Sequence, residues 1–140
     1  MIEGYDVDKT EYLAYTENGY MRKEVQIMLQ TQQELIEQYV FAIRKIYGKH
    51  LKKVILYGSY ARGNFHKDSD IDIMVLVDLP DTQIELYSDE LSELGFEYNI
   101  NHDIWFMPVV KNEAHFWQWC NVYPFYSNVV KEGILLYETA

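Results

Sequence analysis

The residues that decide the fold run from Val54 to Val77 and read VILYGSYARGNFHKDSDIDIMVLV. Each end of this stretch is a short apolar run of the length that suits a buried β-strand. Gly58 ends the first run, and Pro80 follows the second, where a central strand has to stop. The stretch therefore predicts two buried strands, the second of them central in a sheet, joined by a glycine-containing connection.

The flanking sequence adds helices to these strands. Apolar residues recur at spacings of three and four from Val25 to Tyr47, which predicts a helix ending at Gly48. Further along we expect the following elements: a helix over 82–94 ending at Gly95, a third strand from Tyr98 to Val110, helices over about 112–121 and from Pro124 to near Gly133, and a last short strand over 135–137. This order predicts an α/β (α+β) domain, a small mixed sheet covered by helices.

Length and charge limit the possible functions. The 140 residues suit one domain over 21–140, preceded by an N-terminal extension over 1–20 that shows no clear period. The net charge of −10 argues against a chain that works alone on long nucleic acid, because phosphate backbones are held mainly by Lys and Arg. It favours a small nucleotide brought in with metal ions, or a basic protein partner, although acidity also simply aids solubility.

The same sequence features predict a cytoplasmic protein. Cys120 is the single cysteine, so no internal disulfide can form and a reducing compartment is expected. The first residues lack the basic and apolar regions of a signal peptide, and no run of about 18 apolar residues could span a membrane. Cys120 lies in an aromatic run with Phe116, Trp117 and Trp119, for which core packing and partner binding are both open interpretations.

Gly58 and Ser59 form the first part of a candidate anion site. A glycine at the end of a strand lets the backbone approach a ligand and adopt unusual dihedrals. Ser59 adds a hydroxyl, and the N–H groups that follow can point at a phosphate. Arg62, in the same connection, can hold phosphate oxygens with its two-pronged guanidinium, unless it is only a surface residue. A Gly-Ser pair after a strand can equally be an ordinary turn.

Asp70 and Asp72 form the second part. Side chains alternate along a strand, so both carboxylates project to one face with Cα atoms about 6.5 Å apart, while Ile71 and Ile73 face the core. Two adjacent carboxylates repel each other unless a cation lies between them, and Mg²⁺ prefers such hard oxygen ligands. The alternative is that Asp-x-Asp is only a solvated strand end.

The combination resembles a known family. Gly58-Ser59, ten residues, and then Asp70-Ile71-Asp72 is similar to the signature of the DNA polymerase beta-like nucleotidyltransferases. The fuller run Gly58–Gly63, with Ser69–Ile73 and the segment from Pro124 to Tyr137, resembles the minimal nucleotidyltransferase (MNT) branch. Members of that branch are small and often pair with a HEPN-domain protein as a toxin–antitoxin system.

The resemblance implies a site and a reaction. Two Mg²⁺ ions and a nucleoside triphosphate, often ATP, are expected, with Gly58 and Ser59 on the phosphates. Asp70 and Asp72 would bridge both metals. The family uses a third carboxylate on a later strand, and Asp103 is the candidate to ligate the catalytic metal and help deprotonate the attacking hydroxyl. Asp103 could also be an ordinary polar residue of an edge strand.

The function that follows is transfer of a nucleoside monophosphate, AMP from ATP, to a hydroxyl acceptor on a partner protein of the HEPN type. The alternative is a catalytically silent antitoxin that neutralises such a partner by direct contact. A homo- or hetero-oligomer is compatible with either. The four histidines have no metal-ligand spacing, so zinc is not expected.

Overall fold

The computed structural model describes the backbone of residues 23–66 and 68–139, with side chains from residue 30 onward. The predicted extension over 1–20 lies outside the described residues. The strands are β1 (Leu51–Tyr57), β2 (Ile71–Val77), β3 (Phe106–Asn112) and β4 (Ile134–Glu138). The helices are α1 (Lys23–Tyr47), α2 (Ser59–Arg62), α3 (Asp81–Ile84), α4 (Ser88–His102), α5 (Glu113–Trp119) and α6 (Pro124–Glu132), with 3₁₀ turns at Gly48–His50 and Glu85–Tyr87.

The four strands form one mixed sheet in the order β3-β2-β1-β4. β1 is antiparallel to both β2 and β4, whereas β3 runs parallel to β2. β2 is therefore an interior strand, as expected from its nearly continuous apolar sequence, because a strand buried on both faces needs apolar residues at every position. The mixed sheet covered by helices confirms the predicted fold class.

Alternation along β2 divides the core into two parts. Ile71, Ile73, Val75 and Val77 face the larger cluster, which includes buried residues of α1 and α4. Met74 and Leu76 face the second cluster, where they pack with Phe116 of α5 and with Tyr126 and Val129 of α6. The sheet is thus covered by helices on both faces, and Asp72 points toward the α5 and α6 side.

Aromatic side chains fill much of this core. Tyr39 of α1 stacks on Phe106 of β3 with ring centroids 3.8 Å apart. Phe116 is fully buried, and Trp117, Trp119 and Cys120 pack against the second cluster while partly buried. Burying one such large apolar side chain stabilises the fold by roughly 1.5–3 kcal/mol. Phe116 therefore packs in the core as expected, and partner binding by the partly buried Trp117 and Trp119 stays a prediction.

The segment around Gly95 differs from the prediction. The expected end of the helix at Gly95 and the expected strand start at Tyr98 are both wrong, because α4 continues through Gly95 to His102. An isolated glycine costs a helix only about 1 kcal/mol. The Tyr98 ring packs perpendicular to the rings of Tyr39 and Phe106, so contacts with α1 and β3 hold the last turns of α4 together. β3 begins only at Phe106.

Within the described residues, no helix combines the length and the apolar character needed to cross a membrane.

Candidate functional site

Gly58, directly after β1, has a backbone conformation that needs glycine. Its dihedrals are φ 75° and ψ −154°, a region that other residues hardly populate. A Cβ at this position would collide with the carboxylate of Asp72. The absent side chain therefore makes room for the Asp72 carboxylate, which lies against the Gly58 backbone.

The connection after Gly58 is closed by local contacts. Ser59 to Arg62 form the single turn of α2, and the Arg62 N–H donates to the Gly58 carbonyl at 3.0 Å. Tyr60 is buried and stacks on Phe65, with ring centroids 4.2 Å apart. These contacts fix the start of the loop, so that Ser59 and Arg62 have defined positions beside Gly58.

Asp70 and Asp72 lie at the start of β2. Asp72 is half-buried and pairs in register with Tyr57 of β1, whereas Asp70 is exposed just before the strand. Ile71 between them is fully buried in the larger core cluster, which confirms the alternation expected from the sequence. The two carboxylates therefore lie at the same end of the sheet, where β1 ends at Gly58 and β2 begins.

The electrostatic setting of Asp72 favours a bound cation. Burial raises the pKa of the Asp72 carboxyl, the charge of Asp70 raises it further, and Glu132 adds a smaller effect in the same direction, while Arg62 opposes them. A carboxylate in this setting gains from a nearby positive charge. The paired hard oxygen donors of Asp70 and Asp72 suit Mg²⁺, which takes a few protein carboxylates and completes its shell with phosphate and water.

The raised pKa of Asp72 predicts an effect on stability. The folded protein holds a proton on Asp72 more tightly than the unfolded chain does. The stability that this proton provides is therefore lost as the pH rises from the pKa of Asp72 in the unfolded chain, near 4, through its pKa in the folded protein. It stays lost at neutral pH. Without divalent cations, Asp72→Asn should raise Tm at neutral pH, and the gain should vanish below about pH 4.

Thermal melts in EDTA at both pH values would measure this, with Asp78→Asn as the control. Asp78 follows the other end of β2, and a hydrogen bond from His50 at 2.8 Å lowers its pKa, so its replacement should give no gain. A lower Tm for Asp72→Asn than for the wild type at neutral pH would contradict the assignment.

Asp103 is not on a strand, and this part of the prediction is wrong. It caps the end of α4 in the left-handed conformation, with φ 53°, and its N–H donates to the Asn99 carbonyl at 2.9 Å. Aspartate is among the few residue types that adopt this conformation readily. Even so, Asp103 lines a small cavity of about 220 Å³ together with Asp68, Asp70 and Trp105.

β3 does not supply the third carboxylate that the resemblance implies. The β3 residue paired with Asp72 is Met107, and its side chain is 46% exposed. Among the described residues, no three acidic, histidine or cysteine side chains converge into a metal-binding group. The structure therefore brings Asp70 and Asp72 together as a pair and leaves Asp103 on the wall of the adjoining cavity.

Glu132, the last residue of α6, is a site residue that the sequence did not predict. Its Oε1 accepts a hydrogen bond from the Gly58 N–H at 3.2 Å, and Arg62 Nη1 donates to both carboxylate oxygens at 3.2 Å. The Arg62 side chain is half-exposed and bonds to Glu132 beside Gly58, and its role in phosphate binding stays a prediction. The Gly58 amide and the Arg62 guanidinium together hold one anionic group, which is the chemistry expected of a phosphate site.

Comparison with known proteins identifies the family of this chain. Residues 36–136 match the model of the nucleotidyltransferase domain. The chain belongs to this family. The matched range includes Gly58, Ser59, Asp70, Asp72 and Glu132.

Two curated relatives of this nucleotidyltransferase come from Methanocaldococcus jannaschii and share the name "Putative protein adenylyltransferase". One is 35% identical over 107 residues, covering 76% of this chain and 98% of the relative. The other is 32% identical over 77 residues, covering 55% and 76%. A solved structure of the tri-AMPylated Shewanella oneidensis HEPN toxin in complex with MNT antitoxin aligns at 24% identity and a TM-score of 0.45, covering 76% of this chain and 73% of that one.

Proposed function

We propose that this nucleotidyltransferase moves AMP from ATP to a hydroxyl group of a partner protein, with Mg²⁺ bound at Asp70 and Asp72. The observation that carries the proposal is the position of Asp72. Its carboxylate lies against Gly58, whose N–H and neighbour Arg62 already hold an anionic group. The proposed cation ligands would thus lie beside the proposed anion donors, as binding of a metal-complexed triphosphate requires.

The phosphate end of the nucleotide is assigned to the turn after β1. The Gly58 N–H and the Ser59 hydroxyl would donate to the β- and γ-phosphates, and Arg62 would add a charged donor. Arg62 is well suited to this role because its side chain is 47% exposed and therefore accessible to a ligand. Replacement of one internal carboxylate by phosphate oxygens leaves the same donors satisfied.

In the reaction, the acceptor oxygen forms a bond to the α-phosphorus while the bond from the α-phosphorus to the bridging oxygen of the β-phosphate breaks, and pyrophosphate leaves in line. Asp70 and Asp72 would hold the Mg²⁺ that the triphosphate carries. When bound, Mg²⁺ supplies charge neutralisation of the phosphates and polarises the α-phosphoryl group. Asp103, which lines the same cavity as Asp70, would accept the proton of the hydroxyl.

A protein acceptor is supported by the two Methanocaldococcus jannaschii relatives, which share the name "Putative protein adenylyltransferase". The net charge of −10 disfavours a nucleic acid acceptor. The resemblance to the minimal nucleotidyltransferase branch points to a HEPN-type protein, and a tyrosine hydroxyl is the simplest acceptor group it could offer.

Calorimetric titration of ATP into the purified protein tests the nucleotide site. With Mg²⁺ we expect saturable binding, and in EDTA binding at least about tenfold weaker, because the Asp70–Asp72 pair repels a free triphosphate. Asp70→Asn should remove most of the Mg²⁺-dependent part. Asp78→Asn, on the far end of β2, is the matched control and should bind as the wild type does.

The partner decides between the two functions. If the protein alone binds no ATP, the titration is repeated with a co-purified HEPN-type partner. The partner would be encoded by the neighbouring gene and recognised as a small helical protein with an Arg-x(4–6)-His motif. If that complex neither binds nucleotide nor carries an AMP adduct, the proposed AMP transfer is contradicted. The catalytically silent antitoxin is then the function that remains. An AMP adduct on the partner, detected by mass spectrometry, would support transfer.

A further inference from the structure

Glu132 holds the position that the proposed triphosphate has to take. Its carboxylate accepts from the Gly58 N–H and from Arg62, all at 3.2 Å. These are two of the three donors assigned above to the phosphates. An incoming phosphate and Glu132 therefore compete for the same hydrogen atoms.

The site is also crowded with negative charge. Among the described residues, Glu132 and Asp70 act on Asp72 as like charges, and Arg62 acts on it as an opposing charge. A metal-free anion entering here would meet three carboxylates and find its donors engaged. A triphosphate that carries Mg²⁺ brings the charge that Asp70 and Asp72 need, and this gain can offset the loss of the Glu132 contacts.

We propose that Glu132 is a specificity residue of the phosphate site. Its carboxylate occupies the Gly58 amide and Arg62 and so excludes metal-free anions, whereas a metal-complexed triphosphate displaces it. This inference rests on the proposed nucleotide function and adds the selection of the ligand form. The metal-free anions that Glu132 would exclude are pyrophosphate, inorganic phosphate and uncomplexed ATP.

The surroundings of Glu132 allow the side chain to leave without unfolding α6. The helix is anchored by Tyr126 and Val129, which are buried in the second core cluster. The Glu132 side chain itself is 25% exposed, so a change of rotamer can turn the carboxylate toward water. The backbone of α6 and the start of β4 then keep their positions while the phosphate donors become free.

The test is the binding of pyrophosphate in EDTA to Glu132→Gln and to the wild type, measured by calorimetry. Glutamine keeps a hydrogen-bond acceptor for the Gly58 N–H and removes the charge. We expect the Kd for metal-free pyrophosphate to fall about tenfold, since one of the repelling charges is gone. The Kd for ATP with Mg²⁺ should also fall, but by less than the Kd for pyrophosphate, because the Mg²⁺ complex carries less net negative charge.

Glu138→Gln is the matched control, because Glu138 pairs with Lys53 at 3.0 Å in the neighbouring strand and should leave both Kd values unchanged. Unchanged or weaker pyrophosphate binding in folded Glu132→Gln would overturn the proposal. If that variant does not fold, Glu132→Asp decides: its carboxylate is one methylene further away, so tighter metal-free binding supports the proposal and equal or weaker binding overturns it. Failure of the wild type to bind ATP with Mg²⁺ would instead count against the proposed function.

Discussion

Asp72→Asn should lower AMP transfer to the partner protein by roughly a thousandfold or more while the protein stays folded. Asp72 is the residue that touches both halves of the site, since its carboxylate lies against Gly58 and beside Asp70. Asparagine has nearly the same shape, but it lacks the charge that a divalent cation needs, so substrate and metal lose their common anchor. The amount of AMP adduct formed per unit time on the partner measures the effect.

Asp78→Asn is the appropriate control for this experiment, because it removes a carboxylate adjoining the opposite end of the same strand. It should transfer AMP at the wild-type rate. Far-UV circular dichroism would show that both variants keep their helices and sheet. An Asp72→Asn protein that still transfers AMP at a comparable rate would overturn the assignment of the site.

Gly58→Ala should both destabilise the protein and remove nucleotide binding. The native φ of 75° and ψ of −154° cost a residue with a Cβ on the order of 1–3 kcal/mol. The new methyl group would in addition collide with the Asp72 carboxylate and displace it. Because the strain and the displacement occur at one point, Tm and ATP affinity should fall together in the same variant.

Gly95→Ala is the matched control. Gly95 lies inside α4, and a Cβ there would meet nothing within 4 Å. This variant should gain about 0.5–1 kcal/mol, because alanine is the better helix former, and it should bind ATP normally. Thermal melts and calorimetry on the pair give the comparison. A Gly58→Ala protein as stable as Gly95→Ala would contradict the interpretation of the Gly58 backbone.

The parts of the fold that depend on local sequence could be predicted. The alternation of Asp70, Ile71, Asp72 and Ile73 fixes which side chains face the core, and the structure places them accordingly. The helical spacing up to Tyr47 likewise predicts α1 and its end at Gly48. In both cases each residue's role follows from neighbours only a few positions away.

The parts that depend on distant contacts could not. Glu132 reaches Gly58 across 74 positions in the sequence, and nothing near it indicates that its carboxylate meets a backbone amide. Gly95 was predicted to end a helix because glycine commonly does so. The packing of Tyr98 on Tyr39 and Phe106, which continues the helix, cannot be recognised from the sequence. The prediction that Asp103 lies on a strand was wrong for the same reason. The role of Asp103 as a site residue stays a prediction.

The position of β1 between β2 and β4 has a consequence for synthesis of the chain. Lys53 of β1 meets Glu138 of β4, which the ribosome adds 85 residues later. At ordinary elongation rates this interval is on the order of ten seconds. During it, one edge of β1 has no partner strand, and an open edge can pair with other nascent chains. We therefore expect the yield of soluble protein to depend on chaperones that bind nascent chains.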